Sequence, residues 1–106
     1  MRLLTPLFLT ATLAVSSCEP CEELCKSEAS AYDKCLDTWD LEWADLGAAD
    51  KADFQASCIL QNEPMVDAMP EADAELERTR CDEALASLRV ATTCEDRWAA
   101  LVQYGD

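Results

Sequence analysis

The sequence predicts an all-α chain: a small three-helix, disulfide-stapled bundle that follows a cleaved signal peptide. Three observations carry that expectation. Between Cys21 and Leu46 the residues Cys21, Cys25, Tyr32, Cys35, Trp39, Trp43 and Leu46 recur at helical steps, with Glu28 as the one polar member of the stripe. Gly47, Pro64 and Pro70 fall between periodic segments, where turn residues belong. Six cysteines follow residue 18, and a domain of this size commonly needs such cross-links to supplement a modest core. Residues 1–17 read as leader and residues 18–106 as one small cysteine-rich helical domain.

The leader opens on Met1-Arg2 and continues from Leu3 to Val15 without a charge, the proportions of a secretory signal. It is shorter than the roughly 20 apolar residues that span a bilayer. Val15-Ser16-Ser17-Cys18 resembles the lipobox of bacterial lipoproteins. That resemblance implies cleavage before Cys18, a diacylglyceryl group on its thiol and a further acyl chain on its amine. Two or more acyl chains give stable anchoring, at about 0.8 kcal/mol per buried methylene. Parity agrees: of seven cysteines, committing Cys18 to lipid leaves an even six. Cleavage by the general signal peptidase is the competing expectation, since Ser17 and Val15 also suit it.

The first helix is expected to begin at Glu19-Pro20, with Pro in the first turn and Glu22 and Glu23 at the positive end of the dipole, and to run to Gly47. Asp50 looks like the N-cap of a second helix, with Asp53 three residues on as in a capping box. That helix is expected to end near Gln61, because Asn62-Glu63-Pro64 should stop it, leaving residues 62–70 as a connector. From Glu71 the chain turns helical again behind Asp73, Glu75 and Glu77, with Cys81, Ala84, Leu85, Leu88, Ala91, Trp98, Leu101 and Val102 on its apolar face. Thr92-Thr93 is the weak point, where Thr93 with Asp96 provides the signal for a fresh helix start.

Cys21, Cys25 and Cys35 share one face of the first helix, Cys21 and Cys35 about 21 Å apart along its axis, so each should reach another element. Six pairings with Cys58, Cys81 and Cys94 then remain. Hairpin symmetry about Gly47 sets Cys58 opposite Cys35. The matched intervals Cys21 to Cys35 and Cys81 to Cys94 suggest instead an antiparallel ladder, Cys35 with Cys81 and Cys21 with Cys94, leaving Cys25 to Cys58. Cys25-x9-Cys35 is also similar to one half of the twin CX9C motif of mitochondrial helical-hairpin proteins, although the other half here is Cys81-x12-Cys94. The resemblance implies only that disulfides can link antiparallel helices.

Residues 18–106 carry all 22 acids and seven of the eight cations, a net charge of −15. That argues against nucleic acid, whose binding neutralises phosphates with Lys and Arg, and against electrostatic adhesion to anionic headgroups. The absence of His removes the commonest general base and metal ligand. Asp33, Asp37 and Asp40, and Asp73 with Glu77, read as solvated helix faces, since no EF-hand loop is present. Trp39, Trp43 and Trp98 read as core, with one exposed Trp as a partner anchor in the minority view.

The expected function is therefore a lipid-anchored, non-catalytic envelope interaction or structural module, with no cofactor and an acidic surface suited to a basic protein partner. The expected place is the periplasmic or outer face of a bacterial envelope. Glu19 is not the Asp that resembles an inner-membrane retention signal, which favours the outer membrane. The alternative is an extracytoplasmic thiol-redox or copper-handling protein. Cys21-x3-Cys25 resembles the spacing in some copper-delivery proteins, and Met65 and Met69 could add soft ligands. Glu22 and Glu23 would raise the Cys21 thiol pKa rather than activate it, which favours structural disulfides.

Overall fold

The computed structural model describes residues 19–104 and is helical throughout its regular structure. Among these residues are four α-helices, α1 (Pro20–Trp39), α2 (Lys51–Asp67), α3 (Glu71–Val90) and α4 (Cys94–Tyr104), and one 3₁₀ turn, Trp43–Leu46. The expected count of three is corrected to four by the break at Thr92-Thr93. There Thr93 Oγ1 accepts from the N–H of Asp96 at 3.0 Å, the N-cap geometry that begins a new helix. Signal cleavage and lipidation of Cys18 concern residues outside those described.

α1 starts as its sequence dictates: the Glu19 carboxylate accepts from the N–H groups of Cys21 (2.8 Å) and Glu22 (3.2 Å), and Pro20 occupies the first turn. It ends earlier than Gly47. Asp40 takes the left-handed conformation (φ 56°), and the N–H of Leu41 reaches back to the carbonyl of Leu36 at 3.0 Å, a Schellman closure. The break turns the chain back through the 3₁₀ turn, closed by Gly47 at φ 76°, and sets Trp43 against Phe54 with ring centroids 5.9 Å apart.

α2 begins at its expected cap, where Asp50 accepts from the N–H of Asp53 at 2.8 Å and Asp53 accepts from the N–H of Ala49 at 2.9 Å. It runs six residues past Gln61, with Pro64 inside it. The physical reason is burial: the added turn brings Val66 into the core, 8 % exposed, which offsets the hydrogen bond that Pro64 cannot donate.

α1 is the hub, touching all three other helices, whereas α2 and α3 meet only narrowly. Directions follow from the cross-connections. Asp33 faces Lys51 and Cys25 joins Cys58, so α2 runs antiparallel to α1. Cys21 joins Cys81 and Cys35 joins Cys94, so α3 runs parallel to α1. Arg80 donates to the Tyr104 carbonyl at 3.3 Å, so α4 folds back down α3.

The core these helices enclose is thin. Among the described residues fourteen apolar ones are buried, five Ala and four Cys among them, and the largest fully buried side chains are Cys25 and Cys35. Trp39 and Trp43 are half-buried, Trp98 is 46 % exposed and Val102 60 % exposed, which corrects the expectation that Trp98 and Val102 pack inside.

Candidate functional site

The candidate chemistry lies along the buried stripe of α1, where its sequence-predicted members separate into three bridges. Cys21–Cys81, Cys25–Cys58 and Cys35–Cys94 join helices at Cα separations of 4.9, 5.7 and 5.7 Å. Every first-helix thiol therefore finds a partner on another element, as the axial argument requires. The hairpin pairing of Cys35 with Cys58 does not form, and neither do the ladder pairs Cys35–Cys81 and Cys21–Cys94. The matched intervals do carry the pairing, but in the opposite sense: with α2 between them, α1 and α3 run parallel, so low pairs with low and high with high. The remaining ladder link, Cys25–Cys58, does form. The 11-residue connector 40–50 carries the chain back down α1 and brings Cys58 to the level of Cys25.

Cys21 and Cys25 are thus not a pair with each other. Among the described residues, the only cluster of three possible metal ligands is Cys21, Glu77 and Cys81, and its two sulfurs are bonded to one another. Met65 is 46 % exposed and Met69 half-buried at the end of α2.

Glu28, the polar member of the stripe, sits in this apolar layer. Its Oε1 lies 3.9 Å from the Cys58 sulfur, while Asn62 Nδ2 donates to the Cys25 sulfur at 3.3 Å and to the Cys58 carbonyl at 3.1 Å. Burial pushes the Glu28 carboxyl up to about 7. One turn on, the Tyr32 hydroxyl is raised by burial first and by the Glu28 charge second. Asn62 does not stop α2, as its sequence neighbourhood suggests; it caps the edge of the second bridge.

Beyond this layer the aromatics form a continuous chain. Trp98 meets Trp39 (5.1 Å), Trp39 meets Tyr32 (5.8 Å), Tyr32 meets Phe54 (5.4 Å) and Phe54 meets Trp43. The first three are edge-to-face, and contacts of that kind add about 0.5–1.5 kcal/mol each beyond area burial. The chain surfaces at an open apolar hollow of about 450 Å³ lined by Trp39, Leu41 and Trp98. Around it the carboxylates are distributed over exposed faces: among the described residues no charged side chain is fully buried, and Asp33, Asp37, Asp40 and Asp73 all face solvent.

No helix among the described residues is long and apolar enough to cross a membrane. No family model matches the chain, and no curated protein and no solved structure matches it significantly.

Proposed function

We propose that residues 18–106 are a non-catalytic interaction or structural module, held on a bacterial envelope by lipid on Cys18, with an acidic surface that meets a basic protein partner. The observation that supports this reading most is the allocation of sulfur: all six cysteines after Cys18 are engaged in bridges between helices. A thin core of Ala and Cys makes those bridges structural. The net charge of −15 suits a basic partner, and half-exposed Trp98 offers an anchor of the kind enriched at interface hot spots. The membrane favoured is the outer one, on Glu19 after the anchor.

Intact mass of the exported protein tests the reading. The expected result is an acylated Cys18 with six hydrogens missing from the other cysteines, and a Cys18→Ser variant that leaves the membrane fraction. An unacylated first residue overturns the anchor. Two thiols that react before any reductant is added, together with copper uptake, overturn the structural role and favour the redox or copper alternative.

A further inference from the structure

The cations that follow residue 18 are unevenly placed: Lys51, Arg78 and Arg80 pair with carboxylates elsewhere, and the other four converge. Lys26 and Lys34 on α1, Arg89 at the end of α3 and Arg97 on α4 line one groove of about 380 Å³, four of the seven cations that follow residue 18. Lys26 and Lys34 stand two turns apart on the same face of α1, with Ser30 between them, so the groove presents donors along about 12 Å of helix. Its floor is apolar, formed by the buried Ala31, Leu85 and Leu88.

Among the described residues one carboxylate, Glu23, reaches this groove, and it is paired with Lys26 at 3.3 Å. Among the described residues Lys34, Arg89 and Arg97 take part in no ion pair. With 22 acids to seven cations after residue 18, three cations of one groove left without an ion pair are the opposite of what mutual attraction would produce on an open surface. Arg97 is also held in place: it is half-buried, with Nη1 resting 3.7 Å from the Cys35 sulfur and 4.0 Å from that of Cys94. Uncharged disulfide sulfurs position the guanidinium without neutralising it.

The geometry points to an anion site in the α1–α3 groove for a phosphate-bearing small molecule or headgroup. Guanidinium forks match phosphate oxygens bidentately, and a phosphate monoester carries close to two negative charges at neutral pH, which suits several converging cations better than one carboxylate does. The volume falls in the range of small-molecule sites, about 300–1,000 Å³, so it admits an organic portion against the apolar floor. The net negative charge does not forbid this. At physiological salt the screening length is about 8 Å, so acids across the bundle are damped while Lys34, Arg89 and Arg97 act together. This site stands independently of whether Cys18 is acylated.

Titration of the oxidised protein with inorganic pyrophosphate at physiological ionic strength, followed by calorimetry, tests it. One saturable site is expected, weakened about tenfold or more in Lys34→Gln and in Arg89→Gln, whose exposed side chains can be changed without disturbing the core. Lys51→Gln, on α2 and outside the groove, should bind as the parent does. Vesicles containing phosphatidylglycerol separate the sources. Vesicle binding that pyrophosphate displaces identifies a headgroup, and pyrophosphate binding without vesicle binding identifies a soluble ester. No saturable pyrophosphate binding, equal binding by all three variants, or a sedimentation shift showing that a second copy's acidic face fills the groove would each overturn the proposal.

Discussion

Glu28 stands where a core residue would be expected, and the surroundings explain what that costs. Its carboxyl lies among Tyr32 and the Cys25–Cys58 sulfurs, in no ion pair among the described residues, and burial alone lifts it from an ordinary 4.5 to about 7. Between those values the folded chain holds a proton that the unfolded chain has released. Stability therefore falls as pH rises from about 4.5 toward 7, and the contribution is level outside that window. Glu28→Gln, which keeps the shape without the titration, should leave the protein little changed at pH near 4 and more stable than the parent at pH near 8. A tenfold change in proton affinity corresponds to about 1.4 kcal/mol, which limits the gain to at most about 3.5 kcal/mol. Urea denaturation of both proteins across that range checks this; a difference that does not vary with pH would show that Glu28 is solvated in the folded state.

The elements are ended by single residues more than by propensity. Asp40 closes α1 in a left-handed conformation and sets a negative charge at the negative end of the helix dipole, two unfavourable features at once. Asp40→Gly should stabilise the fold by about 1 kcal/mol, whereas Asp40→Ala, which removes the charge but keeps the Cβ strain, should gain less; thermal melts of the pair report the order. Equal melting points for both variants would mean that the conformation carries no strain. The same scale shows which boundaries are legible. Glu19-Pro20, Asp50 and Thr93 are local caps whose hydrogen bonds involve near neighbours in the chain, and all three act as their chemistry suggests. The ends of α1 and α2 differ from their expected places: α1 stops at the Asp40 closure, after which Trp43 packs on Phe54, and α2 continues through Pro64 to the buried Val66.

For the whole molecule, covalent links take over much of what a larger core would do. Bridges spanning 60, 33 and 59 residues remove about 4 kcal/mol each of unfolded-state freedom on the chain-entropy argument, against a total stability of about 5–15 kcal/mol for a typical domain. Replacing Cys35 and Cys94 together by Ala should lower the free energy of unfolding by about 4 kcal/mol and loosen α4, read as lost hydrogen-exchange protection over residues 94–104. A loss below about 1 kcal/mol would place the stability in the aromatic chain instead.

By itself the sequence determined the helical class, the division of thiols between α1 and the rest, and the one polar intruder, because these depend on period, parity and the 1.5 Å rise of a helix. Only the tertiary structure decided which sulfur meets which, since that depends on whether α3 runs with or against α1, a choice made by the connector 40–50 and the intervening α2. It also gathered Lys34, Arg89 and Arg97 into one groove from positions up to 63 residues apart, a convergence that no spacing along the chain displays.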